Sequence, residues 1–164
     1  MAVYGCVMEP MNHGGMADQA LSTVGGGEAG QRRARVVLAD DHKELLDQIR
    51  RLLEGEFDIV CSVSEGRALV DAANEWRPDI IISDINMPHL TGPEATRRIL
   101  QDGHAKSAIM LTMYNEPELV RSCMASGILG YVLKVDAGDE LIPAIRQVLA
   151  GEAYLSRRVH RRAV

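Results

Sequence analysis

The sequence has 164 residues, of which 46% are hydrophobic and only 4% aromatic, and its net charge is −5. A chain of this length holds one domain of ordinary size with short tails, and a core poor in aromatic residues favours layered helices and sheet over an aromatic-rich β fold. The acidic balance argues against direct binding of nucleic acid by this domain.

The sequence carries no targeting signal and no cysteine motif of the metal-binding type. Cys6, Cys61 and Cys123 are scattered along the chain, which indicates reduced thiols. No stretch approaches the length of a transmembrane helix, and the N-terminus lacks a basic region followed by an apolar run. We therefore expect a cytoplasmic protein without a membrane partner.

Three regions are distinguished by composition. Residues 1–33 are rich in Gly, Met and small polar residues without helical or strand periodicity, and they are predicted to form a disordered tail. The folded domain is predicted to span residues 34–155. Residues 156–164 contain four arginines and are interpreted as a basic linker, or as the start of a connection to an output domain that lies outside this chain.

Within the folded domain, short apolar runs alternate with residues at helical spacing. The apolar runs are built mainly from Val, Ile and Leu, and Gly or Pro bounds most of the helical segments. Strands are predicted at residues 36–38, 57–63, 80–82, 108–111 and 131–133, and helices at 43–54, 69–76, 93–100, 117–126 and 139–149. Pro143 inside the last helix predicts a kink.

Five units of strand followed by helix predict an α/β fold. Short connections between them indicate a doubly wound parallel sheet of five strands, with right-handed crossovers and five helices on the two faces. The sequence contains neither a Gly-x-Gly-x-x-Gly motif after a strand nor a Walker lysine motif, so it does not indicate a nucleotide site. Ligands of such sheets bind at the carboxyl ends of the strands.

Polar residues follow four of the predicted strands at that edge, namely Asp40, Asp41, Asp84, Thr112 and Lys134. Taken singly, each has a structural explanation as a helix cap, a turn residue or a solvated side chain. Taken together, the carboxylates repel one another by roughly 4 kcal/mol per pair at about 4 Å and an effective dielectric of about 20. Mg²⁺ and the lysine would balance that charge, which predicts a site for Mg²⁺ and an anion.

These residues resemble the motifs of a known family. The pair Asp40-Asp41, Asp84 with Met87-Pro88, Thr112 and the segment 130–134 are similar to receiver domains of two-component response regulators, in the same order along the chain. The resemblance covers residues 35–155, and the closing segment 151–156 is most similar to the class with a LuxR-type helix-turn-helix output. It implies a flavodoxin-like sheet with the strand order 2-1-3-4-5.

The resemblance also implies a role for each site residue. Asp84 is the expected phospho-acceptor, which takes a phosphoryl group from a sensor histidine kinase. Asp41, Asp84 and the backbone carbonyl of Asn86 are the expected ligands of Mg²⁺, and Asp40 is expected to act through water. Lys134 is expected to offset charge on the phosphoryl oxygens.

Thr112 and Tyr131 are the expected switch residues. Phosphorylation is expected to attract the hydroxyl of Thr112, after which Tyr131 turns inward into the vacated space. The surface of the fourth helix, fifth strand and fifth helix then changes shape and controls output, with a homodimer through this surface as one possible form. Transcription would be regulated through a DNA-binding domain outside this chain.

Two residues near the site depart from the family pattern, and a histidine lies beside the acidic pair. Met113 stands where the family commonly has a small residue, which predicts narrower access to the phosphoryl site. Val135 stands where proline is frequent, after a bond that is often cis in the family; the cis form costs about 2.5 to 4 kcal/mol without proline. His42 is interpreted as a solvated residue at a helix end, with a contact to the outer shell of the metal as the alternative.

Two other functions were weighed against phosphorylation. An interaction or dimerisation module with a receiver fold would signal without phosphate, and Met113 leaves room for it although the intact acidic residues argue against it. A hydrolase with an aspartyl nucleophile would carry Asp-x-Asp after its first strand, whereas Asp84-Ile85-Asn86 follows the third. We therefore expect a signalling protein that catalyses only its own phosphorylation and dephosphorylation, and not an enzyme.

Overall fold

Apolar strands and amphipathic helices alternate along residues 32–159, the part of the chain that the computed structural model describes. The predicted tail therefore lies outside the described residues except for its last two, and so do residues 160–164. The strands are β1 (Arg35–Ala39), β2 (Asp58–Val63), β3 (Ile80–Ser83), β4 (Ser107–Thr112), β5 (Gly130–Leu133) and β6 (Tyr154–Leu155). The helices are α1 (Lys43–Leu53), α2 (Gly66–Trp76), α3 (Gly92–Gln101), α4 (Pro117–Ala125) and α5 (Ala137–Leu149), and a 3₁₀ turn covers Lys134–Asp136.

The strands form one sheet with the order β2-β1-β3-β4-β5-β6, and every neighbouring pair is parallel. The doubly wound parallel architecture is confirmed, but the prediction of five strands was wrong by one. β6 has only two residues, with Tyr154 opposite Gly130 and Leu155 opposite Tyr131. A strand this short has no alternating pattern, so the sequence contained no periodic feature that would reveal it.

Helices cover both faces of the sheet because successive strand residues point to opposite sides. On β1, for example, Val36 and Leu38 pack with α1 and α5, whereas Val37 and Ala39 pack with α2, α3 and α4. Each face is closed mainly by aliphatic side chains, and every residue of the central strands β3, β4 and β5 is buried. This explains why the strands read as continuous apolar runs rather than alternating ones.

Two predictions concern α5 and the turn before it. Pro143 lies inside α5, and the kink that it predicts stays a prediction. The described residues contain no cis peptide bond, so the bond between Lys134 and Val135 is trans. With valine in place of proline, the trans form avoids the cost of a cis bond.

The chain stays packed against the domain after β6. Ser156 and Val159 are almost fully buried, and residues 157–159 are helical. The division of the chain at residue 155 stays a prediction, but the described segment beyond it is in contact with the core. None of the helices in the described range is long and apolar enough to cross a membrane.

Candidate functional site

Parallel register brings the ends of β1 and β3 together at one edge of the sheet. Ala39 lies opposite Ser83, and the amide of Asp84 donates to the carbonyl of Ala39 over 2.8 Å. The next residues, Asp40 and Asp84, therefore lie side by side where the strand order reverses between β1 and β3. This is the place where doubly wound sheets bind ligands.

Lys134 bridges the two neighbouring carboxylates. Its Nζ lies 2.7 Å from Asp40 Oδ2 and 3.1 Å from Asp84 Oδ2, and its side chain is only 9% exposed. Burial lowers the pKa of Lys134, but the two carboxylates together raise it more, so the pKa lies above its usual value. The lysine therefore stays protonated and supplies one fixed positive charge to the site.

The carboxylate of Asp84 is held between two donors. Its Oδ1 accepts from the amide of Ile85 at 2.7 Å, while its Oδ2 faces Lys134. Burial raises the pKa of Asp84, and the charge of Asp40 adds to that effect, so that the lysine only partly offsets it. Two carboxylates thus share a single lysine.

His42 lies closer to the acidic residues than its interpretation as a solvated helix end suggested. Its side chain is 70% exposed, yet Nδ1 lies 3.0 Å from Asp40 Oδ1 and 2.8 Å from Asp41 Oδ1. A hydrogen bond to Asp40 and the charge of Asp41 raise the pKa of His42. The histidine is thus both solvated and in contact with the carboxylates.

Four side chains of the site are arranged so that they could hold a cation. One ligand atom from each of Asp40, Asp41, His42 and Asp84 lies within 4.8 Å of the others. Three of these groups are carboxylates, which are the donors that hard divalent cations prefer, and three carboxylates beside a single lysine favour such an ion. The chemistry of these donors therefore fits the cation site predicted from the sequence.

Thr112 and Tyr131 meet through the backbone of Tyr114. The amide of Tyr114 donates to Thr112 Oγ1 over 3.2 Å, and the hydroxyl of Tyr131 donates to the carbonyl of Tyr114 over 2.8 Å. Both Thr112 and Tyr131 are fully buried. Tyr131 therefore points inward and is bonded to the loop after β4.

A second contact spans the mouth of the site. Asn86 Nδ2 donates to Tyr114 Oη over 2.7 Å and so connects the loop after β3 with the loop after β4. Beside this bridge, the side chains of Met113 and Val135 are each 64% exposed. Met113 thus lies on the surface next to Thr112.

Gly92, which the sequence analysis passed over, is required for the geometry of Asp84. A Cβ on Gly92 would lie 1.8 Å from the carbonyl oxygen of Asp84, while the Gly92 amide donates to Ile85 O over 2.9 Å. α3 therefore begins in direct contact with the backbone of the predicted phospho-acceptor. The signal was present as Thr91-Gly92-Pro93-Glu94, since Thr91 and Glu94 form a capping box around this start.

Fold and site together define a doubly wound α/β domain with a lysine-bridged acidic cluster at the carboxyl edge of its sheet. The model of the response regulator receiver domain family matches residues 36–146, and the chain belongs to that family. It is a receiver domain of two-component response regulators, related to regulators of the LuxR family.

Individual relatives agree with this assignment. The chain is 31% identical over 134 residues to the transcriptional regulatory protein DegU of Brevibacillus brevis, covering 80% of this chain and 57% of DegU. A LuxR-family two-component response regulator from Aurantimonas sp. SI85-9A1 superposes with a TM-score of 0.75 at 31% identity, covering 80% of this chain and 95% of that one.

The response regulator RcsB is also similar, at 27% identity. Its isolated receiver domain from Salmonella enterica serovar Typhimurium, solved with the phosphomimetic BeF₃⁻, gives a TM-score of 0.72 and covers 79% of this chain and 98% of that one. The complex of RcsB with DNA gives a TM-score of 0.73, covering 80% of this chain and 68% of that one. This chain spans less than two thirds of the length of the curated relatives that it matches.

Proposed function

We propose that this domain is a phosphorylation-dependent switch in which Asp84 accepts a phosphoryl group from a sensor histidine kinase. The observation that carries the proposal is the bridge from Lys134 to Asp40 and Asp84, which places a fixed cation beside a buried carboxylate. The bond that forms joins a carboxylate oxygen of Asp84 to phosphorus, and the bond that breaks joins phosphorus to the donor nitrogen.

Mg²⁺ is the proposed cofactor, held by Asp41, Asp84 and the backbone carbonyl of Asn86, with Asp40 acting through water. When bound, it supplies positive charge for the oxygens of the transferring group. Three carboxylates against one lysine leave two negative charges, which a divalent cation balances. Lys134 would offset charge on the same oxygens, and it keeps its own charge because two carboxylates face it.

Output is proposed to pass through the surface of α4, β5 and α5. Phosphorylation adds charge at Asp84 and attracts the proton of the Thr112 hydroxyl, whose oxygen accepts from the Tyr114 amide, so that a shift of this hydroxyl would also displace the loop after β4. Because Tyr131 binds the carbonyl of the same residue, movement of Thr112 is transmitted to β5. A homodimer through this surface, and regulation of transcription through a DNA-binding domain outside this chain, are the proposed consequences.

A receiver-fold module that signals without phosphate is the second candidate. Met113 favours it, because this exposed side chain follows Thr112 directly where the family commonly has a small residue. Such a module would dock or dimerise through the same surface irrespective of Asp84.

Intact mass after incubation with acetyl phosphate or phosphoramidate separates the two candidates. A gain of one phosphoryl group that requires both Mg²⁺ and Asp84 supports the switch. Asp84→Asn is the test variant, and Asp58→Asn makes the same change at an exposed aspartate of β2 as its control. Incorporation by Asp84→Asn at the wild-type rate would falsify the assignment of the acceptor, and none in a folded wild type favours the phosphate-independent module.

A further inference from the structure

The segment after α5 returns to the edge of the sheet beside the site. We call residues 154–159 the clasp. The amide of Tyr154 donates to Leu129 O and the amide of Ser156 to Tyr131 O, each over 2.9 Å. The amide of Leu133 donates in turn to Ser156 Oγ over 3.0 Å, and Ser156 is completely buried. The clasp is thus bonded to β5 on both sides of Val132.

Two carboxylates at the start of α5 face the arginines of the clasp. Arg158 Nε lies 3.0 Å from Asp136 Oδ1. Arg157 approaches Glu140 Oε1 with its backbone amide, which donates over 3.4 Å, and with its Nε at 3.9 Å. Asp136 and Glu140 stand four residues apart, so both lie on the same side of the helix start. The clasp therefore presents positive charge to an acidic pair.

Each carboxylate of this pair has one oxygen that accepts no hydrogen bond from the described residues. Asp136 Oδ2 and Glu140 Oε2 are buried and have no hydrogen-bond partner in the part of the chain that the structure describes, and Glu140 is only 5% exposed. A buried carboxylate is costly unless a donor or a cation compensates it. The carboxylate oxygens that lie beside the arginines are therefore part of the buried interior of the domain.

The residues that follow Leu133 connect the clasp to the acidic cluster. Leu133, which bonds Ser156, is followed directly by Lys134, and Asp136 ends the same 3₁₀ turn. The turn thus joins the clasp on one side to the pairs with Asp40 and Asp84 on the other.

We propose that Asp136 and Glu140 bind the arginine-bearing clasp as an intramolecular ligand, and that closure of the clasp is linked to occupancy of the acidic cluster. A divalent cation held by Asp84 would compete with Lys134 for that carboxylate, which would loosen the turn of Lys134–Asp136 and with it the clasp. This linkage rests on the proposed function, whereas closure of the clasp does not. By reciprocity, opening the clasp must then change the affinity for the cation.

Trypsin reports closure directly, since it cleaves after Arg157 and Arg158 only when the backbone there is released. In the full chain without added cation, Asp136→Asn is expected to raise the rate of cleavage at these two bonds, read by mass, by about 2- to 5-fold. Asp139→Asn, at an exposed aspartate in the first turn of α5, is the matched control and should leave the rate unchanged. Ser156→Ala provides a second way to open the clasp.

Equal cleavage rates in wild type, Asp136→Asn and Ser156→Ala would overturn the clasp. For the linkage, Mg²⁺ is expected to raise cleavage of the wild type by about 2-fold or more, and to leave Asp41→Asn unaffected. Calorimetric Mg²⁺ binding without any change in cleavage overturns the linkage alone. If the proposed function is wrong, Mg²⁺ binding or phosphoryl incorporation is absent, and the linkage is then wrong as well. The cleavage rates of Asp136→Asn and Ser156→Ala test closure of the clasp in either case.

Discussion

Lys134 Nζ lies 2.7 Å from Asp40 Oδ2, so the lysine of the site is shared with a carboxylate that is not the proposed acceptor. Asp84 is the more distant partner at 3.1 Å. The lysine therefore balances repulsion between two buried acids before any phosphoryl group arrives. Substitution of Lys134 therefore tests its contribution to stability separately from its contribution to phosphoryl transfer.

Lys134→Met is expected to lower the free energy of unfolding by about 3 kcal/mol at neutral pH, because it leaves Asp40 and Asp84 buried without their cation. Urea denaturation measures the change. Lys106→Met removes an exposed lysine that pairs with Asp79, and this control should cost less than about 1 kcal/mol. Equal effects of the two substitutions would contradict the buried bridge.

Asp84→Asn is expected to change how stability depends on pH. Burial raises the pKa of Asp84 above its ordinary value of 3.8, so the folded state binds this proton more strongly than the unfolded state. The free energy of unfolding of the wild type therefore falls as pH rises from 3.8 through the folded-state pKa, and this contribution is constant above it.

The advantage of Asp84→Asn over wild type should accordingly grow with pH across the acidic range and then level off. Urea unfolding at a series of pH values, without divalent cations, measures it. Asp58→Asn provides the exposed comparison. A difference in unfolding free energy between Asp84→Asn and wild type that does not vary with pH would show that folding does not raise the pKa of Asp84.

Gly92→Ala is expected to destabilise the domain by about 2 to 3 kcal/mol, because the new Cβ would overlap the carbonyl oxygen of Asp84. Phosphoryl incorporation should fall as well, since the acceptor backbone must shift. Gly138→Ala is the matched control: nothing lies within 4 Å of its Cβ, and this helical position should gain about 0.5 to 1 kcal/mol. Thermal unfolding of the two variants should therefore move in opposite directions.

Tyr131→Phe removes the hydroxyl that donates to Tyr114 O. We expect a loss of about 1 kcal/mol in the free energy of unfolding and faster amide exchange in residues 113–116, because the loop loses its bond to β5. Exchange measured by mass spectrometry tests this. Unchanged exchange in the loop would mean that Tyr131 only fills space.

Tyr114→Phe breaks the bridge to Asn86 across the mouth of the site. The phosphorylated protein is expected to hydrolyse about 2- to 10-fold faster, because water reaches the phosphoryl group more easily. The free energy of unfolding should change by less than about 0.5 kcal/mol, since the hydroxyl is at the surface. Decay of the phosphorylated mass after removal of the donor gives the rate, and Asn86→Ala should match it.

The sequence was informative about the fold wherever patterns were long. The isoleucines at 80–82 and the helical spacing around Leu46 and Ile49 identify buried elements that the structure contains. β6 was missed because two residues carry no period, and the turn after β5 was missed because Lys134 looked like the end of a strand.

For the site, the sequence indicated which residues share an edge but not their distances. It could not show that Lys134 lies nearer to Asp40 than to Asp84, that His42 reaches both acids, or that Tyr131 is buried. These depend on side-chain positions set by packing of α1, α4 and β5 together. The roles assigned to Asp84, Thr112 and the metal ligands stay predictions until the measurements above are made.

Cys123 of α4 packs in the same buried cluster as Tyr131, and burial raises the pKa of its thiol. A thiol reagent therefore reacts with it only when α4 moves away from the sheet. Cys61 is equally buried and lies on β2, the strand at the opposite end of the sheet from β6. It therefore reacts only when a larger part of the domain opens. Besides Cys6, the native protein thus contains two buried thiol probes: the ratio of the labelling rates of Cys123 and Cys61, with and without phosphoryl donor, distinguishes a local opening of α4 from general loosening of the domain.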